Sequence, residues 1–331
     1  QVRASGAITV GASEGTPFTI KVVEGASSTF DNTKSYSWTI FTGASMSGFA
    51  EAKFTIDTNS WSSAVGTGGF TLRQYLGDIY LEFDPADTGT FEWDAGAGTG
   101  DRDWSNATNW QANLEPGAAD TPHINGGYTA VVSLAEQSVD LCVGDANDGT
   151  GTVRQVGGSL TLGDELFLGK GQGDVGRYTI TNGTLTVADR ILVGDRGVGE
   201  LTLSDAAEVI VQGGASTDGI YIGDGSATLA EDAGSFFQQD GGTATTHRIT
   251  IGVNAGSSGS YAITGGKLAA ADTFLVAWKA SCSGTVSIAG GTVEAERMEL
   301  GGASNAMATL TLSGGTLHMA DDGGSVRLSV G

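Results

Sequence analysis

Leu141-Cys-Val-Gly144 is a short apolar strand closed by glycine, and the same form recurs along the rest of the chain. We call the eight copies the anchor strands; after the first they read Leu166-Phe-Leu-Gly169, Ile191-Leu-Val-Gly194, Ile220-Tyr-Ile-Gly223, Ile249-Thr-Ile-Gly252, Phe274-Leu-Val-Ala277, Met298-Glu-Leu-Gly301 and Leu328-Ser-Val-Gly331. Their first residues are 24 to 30 positions apart. A repeat of this period predicts a solenoid, in which each unit buries its apolar face only by stacking on its neighbours.

Most repeats contain a second glycine with an alternating strand on each side of it. Tyr178-Thr-Ile180 comes before one such glycine and Leu185-Thr-Val187 after it; the glycines are Gly158, Gly183, Gly242, Gly266, Gly291 and Gly315. Period-two alternation indicates strands, and glycine is typical of tight corners. Gln155 and Gln239 occupy inward positions, where an amide can bond to neighbouring backbone. The sequence therefore predicts an all-β fold, a parallel and right-handed β-helix with three-strand coils of about 25 residues.

The chain is strongly acidic and rich in glycine. Its 331 residues include 54 glycines, and 38 Asp or Glu stand against 16 Lys or Arg, for a net charge of −22. That charge argues against binding to nucleic acid or to anionic membranes. No apolar run reaches membrane-spanning length, so no membrane insertion is expected. Abundant Thr, Ser, Gly and Ala with few charges is typical of secreted β-rich repeat proteins, which predicts an extracellular or cell-surface location.

The positions of the strands divide the chain into three parts. Residues 1–91 are strand-rich but out of register with the anchors, which predicts a small antiparallel, sandwich-like module or a sheet layered on a neighbouring coil. Residues 92–140 form a tryptophan-rich cap segment, and residues 141–331 form the β-helix. The sequence stops on an anchor strand at Gly331 without a polar cap, and no signal peptide is visible at Gln1. We interpret the chain as a segment of a longer protein.

Three tryptophans lie close together in the cap segment, namely Trp93, Trp104 and Trp110. With Asn106 and Asn109 between them, they are predicted to cap the first coil. In this interpretation the rings cover its apolar edge and the amides bond to free strand groups. The alternative is a platform of clustered tryptophans that contacts a carbohydrate.

The cap segment also carries the motifs of a resemblance. It reads Trp93-Asp-Ala-Gly-Ala-Gly-Thr-Gly100, then Asp103-Trp-Ser-Asn-Ala-Thr-Asn-Trp110, with Pro116 and Asp120 following. This resembles bacterial secreted β-helix proteins of the autotransporter-associated repeat type, which include large surface proteins of planctomycetes and verrucomicrobia. A second motif of that family is matched at Tyr36, Trp38, Ile40, Gly48, Phe49, Phe54, Ile56, Asp57, Gly68, Gly69, Phe70, Leu72, Arg73, Leu81 and Phe83. The resemblance spans nearly the whole chain and implies a surface or matrix location and no catalysis, while the family's frequent C-terminal sorting signal is missing.

The middle residue of each anchor strand is predicted to face out of the coil, because both of its neighbours are apolar in all eight copies. We call these residues the outer row: Cys142, Phe167, Leu192, Tyr221, Thr250, Leu275, Glu299 and Ser329. The row predicts an apolar outer stripe that fades toward the C-terminus, and such a stripe is typical of a packing surface. Either residues 1–90 or a loop cover it, or it contacts another copy. The expected interface residues are Cys142, Phe167, Leu192, Tyr221, Leu275 and, at the end of the solenoid, Gly331.

Acidic residues recur in the turns beside the anchor strands. Asp145, Asp195 and Asp224 each follow an anchor glycine directly. Stacked coils lie about 5 Å apart, so equivalent acids would repel one another. Bound Ca²⁺ relieves such repulsion, which makes these three residues candidate metal ligands. The alternative is a solvated acidic face without a metal.

Residue types that usually carry catalysis are sparse. The three histidines, His123, His247 and His318, are far apart in sequence, which argues against a multi-histidine metal site. Cys142 and Cys282 are about five coils apart, too far for an intramolecular disulfide. The sequence contains no nucleophile elbow, Cys–His pairing signature or phosphate loop.

Together these features predict a non-enzymatic extracellular structural protein that builds a surface fibre, sheath or matrix. Its expected partners are other copies of itself or neighbouring segments of the same long chain, and a polysaccharide is a further candidate. An adhesin that displays a glycan-binding face is the alternative. A polysaccharide lyase or hydrolase is a third, which requires a cluster of acids with Lys or Arg on one face of the solenoid.

Overall fold

The structure is a computed structural model, and it is all-β. It describes residues 2–25, 30, 36–43, 45–63, 69–75, 78–84, 90–98, 100–111, 113–145, 149–214, 217–225, 234–319 and 327–330. Across these ranges the only helices are two 3₁₀ turns of three residues each, Glu51–Lys53 and Ala107–Asn109. The chain divides into two compact units, Gln1–Gly89 and Thr90–Gly331.

The described part of the first unit contains β1 (Val2–Arg3), β2 (Ala7–Thr9), β3 (Phe18–Val23), β4 (Tyr36–Thr42), β5 (Ser45–Ser47), β6 (Phe54–Ser60), β7 (Gly69–Tyr75) and β8 (Asp78–Asp84). A mixed sheet has the order β1-β4-β8-β7, in which β8 is antiparallel to both neighbours and β1 is parallel to β4. Two further pairs, β2–β5 and β3–β6, are parallel, whereas the sequence predicts an antiparallel module. Sequentially distant strands pair here, and long connections permit parallel pairing. Val22, Leu72, Ile79 and Leu81 form the core of this unit.

The second unit is a parallel β-solenoid, which confirms the predicted fold class. Its described strands are β9 (Thr90–Glu92), β10 (Thr121–Ile124), β11 (Tyr128–Val132), β12 (Ala135–Ser138), β13 (Leu141–Val143), β14 (Thr150–Gln155), β15 (Ser159–Leu162), β16 (Glu165–Leu168), β17 (Val175–Ile180), β18 (Thr184–Val187), β19 (Arg190–Val193), β20 (Val198–Leu203), β21 (Glu208–Val211), β22 (Gly219–Ile222), β23 (Ser235–Gln239), β24 (Thr243–Thr246), β25 (Ile249–Ile251), β26 (Ser258–Ile263), β27 (Lys267–Val276), β28 (Ser283–Ile288), β29 (Thr292–Leu300), β30 (Met307–Leu312), β31 (Thr316–Met319) and β32 (Arg327–Val330).

Each coil contributes one strand to each of three faces. The first face has the order β11-β14-β17-β20-β23-β26-β28-β30. The second runs from β12 through β15, β18, β21 and β24, and the third from β9 through β10, β13, β16, β19, β22 and β25. β27 and β29 continue through the corner between the second and third faces, which joins those faces into one sheet. Equivalent residues of successive coils are partners, as in Leu141↔Leu166 and Leu166↔Ile191.

The ladder begins before the predicted β-helix boundary at residue 141. β10, β11 and β12 pair in parallel with β13, β14 and β15, and β9 pairs with β10. The cap segment therefore supplies a coil of its own. β10 reads Thr-Pro-His-Ile and is not closed by glycine, so it does not show the anchor pattern.

Apolar side chains fill the inside of the solenoid in one continuous cluster. It extends from Phe91 to Met298 through residues such as Leu160, Tyr178 and Phe274, each of these three fully buried. Alternation along each strand produces this interior, because every second side chain points inward. Burial of this kind is the main stabilising contribution in a fold whose strands pair only with neighbouring coils.

The corner after an anchor strand requires a left-handed backbone. Gly144 and Gly169 have φ of +68° and +67°, and Ala277, which stands in the same place of a later coil, also has a positive φ of 55°. A Cβ added at Gly169 would lie 2.4 Å from the carbonyl oxygen of Val198 in the next coil. The recurrent glycine of the anchor strands therefore results from both conformation and space.

Candidate functional site

The outer row is a continuous ladder on the third face. The structure pairs Cys142 with Phe167, Phe167 with Leu192 and Leu192 with Tyr221, and the row continues through Thr250, Leu275, Glu299 and Ser329. It also extends one coil toward the N-terminus, where His123 pairs with Cys142. The predicted stacking of these residues is confirmed.

The outer row is buried or half-buried from Cys142 to Glu299. Cys142 is 0% exposed, and Leu192 and Leu275 are each 3% exposed, although none of the three belongs to the interior cluster. Phe167 and Tyr221 are half-buried. The row is therefore covered on its outer side and does not present an open apolar stripe.

The Lys170 side chain lies over two residues of the outer row, Cys142 and Phe167. The Lys170 ammonium lies 4.2 Å from the centre of the Phe167 ring and 3.5 Å from the Cys142 Sγ atom. The Tyr221 hydroxyl donates to the Thr217 carbonyl at 2.6 Å, so its ring is held against the surface. Strand alternation predicts which side a residue faces, but it does not predict what folds over that side.

The three acids proposed as calcium ligands do not form one cluster. Among the residues that directly follow the anchor glycines, Lys170 lies between Asp145 and Asp195. Its backbone amide donates to the Gly144 carbonyl. Asp224 instead accepts from the side chain of Asn254 at 2.9 Å. Burial raises the pKa of Asp195 above its ordinary value, although Arg196 and Lys170 oppose the shift. Each acid thus has a protein partner or a cation beside it.

The structure brings together a different group, His123, Cys142 and Asp145, whose donor atoms all lie within 4.8 Å of one another. His123 and Asp145 form a hydrogen bond between Nδ1 and Oδ2. Burial raises the pKa of the Cys142 thiol to about 12, against a smaller opposing effect of Lys170. Burial alone would raise the pKa of Asp145, but hydrogen bonds from His123 and Asn125 outweigh it and hold that pKa below its ordinary value.

Sequence reasoning missed this group because His123 lies 19 residues before Cys142, in a strand without the anchor form. The available signal was the alternation of Pro122, His123 and Ile124, which matches that of Leu141, Cys142 and Val143. Extending the ladder by one irregular coil would have placed His123 beside Cys142.

A second acidic group lies in the turns that precede the anchor strands. Asp164, Glu165 and Asp189 have carboxylate oxygens within 4.8 Å of one another, and Arg190 forms an ion pair with Glu165. A hydrogen bond with Asp218, burial and the charge of Asp218 together raise the pKa of Asp189 to about 6. Asp189 and Asp218 therefore hold a proton between them at mildly acid pH.

The cap tryptophans belong to the solenoid interior. Trp93 is 3% exposed and Trp104 and Trp110 are 0% exposed, and Trp110 packs edge-to-face against both of the others. The Trp110 indole donates to the Trp104 carbonyl at 2.8 Å. A fully buried ring offers no face on which a sugar can stack, so these residues do not form the carbohydrate platform.

Backbone groups, not the asparagine amides, complete the edge of the first coil. Val131 of β11 donates to the Arg102 carbonyl and accepts from the Trp104 amide. Asn109 instead donates to the Asp103 carbonyl and accepts from the Ala97 amide, within the cap segment itself. The amides therefore order the cap segment, which in turn supplies backbone partners to the coil.

Both cysteines are buried free thiols, and the Cys282 thiol donates to the Lys279 carbonyl. Gly331, proposed as an end contact, lies outside the described residues. No helix in the ranges given above is long and apolar enough to cross a bilayer. Comparison of the chain with protein-family models, with curated proteins and with solved structures finds no match.

Proposed function

We propose that the protein is a structural element of an extracellular fibre, sheath or matrix, and that its solenoid supplies length and stiffness. The observation that carries this proposal is the unbroken parallel ladder of the third face, from β9 to β32. Coils spaced about 4.8 Å apart make such a ladder a stiff unit that lengthens by addition of coils. Cys142, Leu192 and Leu275 of its outer row are buried, which favours a structural wall over a binding groove.

Side chains at the C-terminal end of the solenoid support contacts between ends. Leu312 of β30 is 57% exposed, whereas its ladder partner Ile288, one coil earlier, is fully buried. Leu310, Leu317 and Met319 are only partly buried against the interior cluster. A further coil stacked on this end, for example from another molecule, would cover these positions. Stacking of one molecule on the next would be a head-to-tail contact, which produces filaments rather than closed rings.

Charge and composition support an extracellular location. A net charge of −22 keeps rods soluble and apart at low ionic strength, so lateral association requires cations or salt. The resemblance to secreted repeat proteins of bacterial surfaces agrees with this location. We propose other copies, or neighbouring segments of one long chain, as the partners of the solenoid.

Electron microscopy of the 331-residue chain, with calcium and with a chelator, tests the proposal. We expect regular filaments, and we expect Leu312→Lys to abolish them by placing a charge in the end contact. Thr311→Lys is the matched control, because Thr311 is exposed on the other side of the same strand and should leave filaments intact. Loss of filaments in chelator would assign calcium to the contacts. Single molecules of the unmodified chain under every condition would contradict the polymer.

An adhesin is the second candidate, and one observation favours it. Trp278, at the turn after an anchor strand, is 38% exposed. A Cβ at Gly302 would lie 2.8 Å from the Trp278 ring, so glycine there lets the ring approach the backbone while part of Trp278 remains exposed. Aromatic faces of this kind stack on apolar faces of sugars. Single rods that bind a polysaccharide through Trp278 would favour the adhesin.

A further inference from the structure

The group His123, Cys142 and Asp145 contains three different donor types at one point of the solenoid. His123 and Cys142 are paired in adjacent strands β10 and β13, so the ladder itself places their side chains side by side. Asp145 joins them because the chain turns at Gly144, whose φ is +68°. The donor atoms of all three lie within 4.8 Å of one another. Two elements of the fold thus converge on this point without any contribution from the interior core.

The group is largely removed from water and held in place. The side chain of His123 is 16% exposed, that of Asp145 is 7% exposed, and Cys142 is fully buried. Asn125 fixes Asp145 twice: its amide donates to the carboxylate Oδ1 atom at 2.7 Å and its carbonyl oxygen accepts from the Asp145 amide at 2.9 Å. Side chains that are buried and hydrogen-bonded are already ordered before a ligand binds to them, which lowers the entropic cost of binding.

We propose that His123, Cys142 and Asp145 bind a Zn²⁺ ion, with water as the fourth ligand. Thiolate sulfur, imidazole nitrogen and carboxylate oxygen are the ligand types that Zn²⁺ uses in proteins, at about 2.3 Å for sulfur and about 2.0–2.2 Å for nitrogen and oxygen. Calcium prefers six to eight oxygen ligands and does not select a thiolate. This site shares Asp145 with the candidate calcium ligands considered above, and it does not depend on the structural role.

Binding is a proton exchange. The metal takes the place of the hydrogen bond between His123 Nδ1 and Asp145 Oδ2: a neutral imidazole coordinates through Nδ1 and carries its single proton on Nε2, so this change of tautomer releases no proton. The Cys142 thiol loses its proton to solvent as the sulfur–zinc bond forms, so a neutral thiol and a cation become a zinc thiolate and a free proton. No bond to carbon changes and no oxidant or reductant is required.

The positive charge of Lys170 opposes the binding of a metal ion. Its ammonium lies 3.5 Å from the Cys142 sulfur, where a second cation would meet repulsion. The side chain is long and flexible, so its ammonium can move away from the sulfur. Removal of this charge should therefore tighten metal binding, an effect that a purely structural role of the cluster does not predict.

Buried cysteine beside histidine and aspartate is also the composition of a thiol nucleophile, but the geometry favours a metal. The thiol is fully buried, and nucleophilic cysteines are partly exposed. His123 directs Nδ1 at Asp145, whose carboxylate therefore competes with the thiol for that nitrogen. A metal ion between the three donors satisfies all of them at once.

The test is titration of the reduced, chelator-treated 331-residue chain with Co²⁺, a zinc analogue whose bonds to thiolate give a charge-transfer absorption. We expect one equivalent to produce this band, and Zn²⁺ to displace it. Cys142→Ser should abolish the band, and Asn125→Ala should weaken binding about 10- to 100-fold by freeing Asp145. Lys170→Met should bind several-fold more tightly.

Cys282→Ser is the matched control, because Cys282 is the other buried thiol of the described solenoid and lies away from His123. It should keep the full band, and circular dichroism establishes that each variant retains its β-structure. If Cys142→Ser fails to fold, His123→Gln provides the second variant and should shift or remove the band. No band in the unmodified chain, or a band that persists in Cys142→Ser, would overturn the site.

Discussion

At the scale of single residues, the corner glycines meet two physical requirements, a left-handed backbone and the absence of a Cβ where the next coil lies close. Gly169 has φ +67°, and a Cβ there would meet the Val198 carbonyl oxygen at 2.4 Å. Gly256 also has a positive φ, +84°, but nothing lies within 4 Å of its added Cβ. Substitution at Gly256 therefore imposes only the conformational cost, whereas substitution at Gly169 adds a clash with the next coil.

We expect Gly256→Ala to lower the free energy of unfolding by about 1–2 kcal/mol, the usual cost of a left-handed residue with a Cβ. Gly169→Ala should cost at least about 2 kcal/mol more, because backbone of the next coil must move. Urea denaturation followed by circular dichroism measures both. Equal losses in the two variants would contradict the close approach of the coils at Gly169.

The side-chain partners of the inward glutamines could not be predicted from the sequence. Alternation correctly places Gln155 and Gln239 inside, where both are fully buried. The structure adds a repeated partner: the Tyr178 hydroxyl donates to Gln155 and the Tyr261 hydroxyl to Gln239, each at 2.8 Å. Each amide also donates to a backbone carbonyl, at Thr184 or Lys267. The backbone bond was expected from the pattern, but the tyrosine was not, because it belongs to a different position of the next coil.

At the scale of elements, a strand that repeats at fixed spacing was enough to predict the ladder. The register of the anchor strands and the inward direction of their apolar residues follow from period-two alternation. Two features did not follow. The coil formed by β10, β11 and β12 lacks the anchor pattern, and the contact of Lys170 with Cys142 and Phe167 depends on side-chain packing. The candidate metal site combines both features, so it could be found only in three dimensions.

The turns before the anchor strands give the solenoid a pH-dependent contact. Hydrogen bonding with Asp218 raises the pKa of Asp189 from 3.8 to about 6, so the folded protein binds this proton more tightly than the unfolded chain. Stability from this pair is present at low pH and is lost as the pH rises from about 4 to about 6. We expect Asp189→Asn to flatten this part of the profile, because an amide cannot ionise. The urea midpoint, measured in steps between pH 4 and 7, gives the comparison, and identical slopes for both proteins would refute the shared proton.

At the scale of the whole molecule, the excess of acidic residues opposes compact folding. A net charge of −22 makes the folded chain repel itself, and salt screens that repulsion over about 10 Å at 0.1 M ionic strength. Ion pairs such as Arg177–Glu200 and Lys267–Glu294 act between neighbouring coils and weaken with the same screening. Because exposed pairs contribute little, the unfavourable net charge should dominate the response to salt.

We therefore expect the melting temperature to rise with NaCl concentration, by a few degrees over the range in which screening develops. CaCl₂ and MgCl₂ at matched ionic strength then separate screening from binding, since screening is the same for both salts. A larger rise in CaCl₂ would show that oxygen ligands in the acidic turns bind calcium. Equal rises in CaCl₂ and MgCl₂ would support a solvated acidic face without bound calcium. A melting temperature that falls with NaCl would mean that ion pairs outweigh the repulsion of the acidic residues. The chelator-treated chain serves as reference, so that metal at His123, Cys142 and Asp145 does not contribute to the comparison.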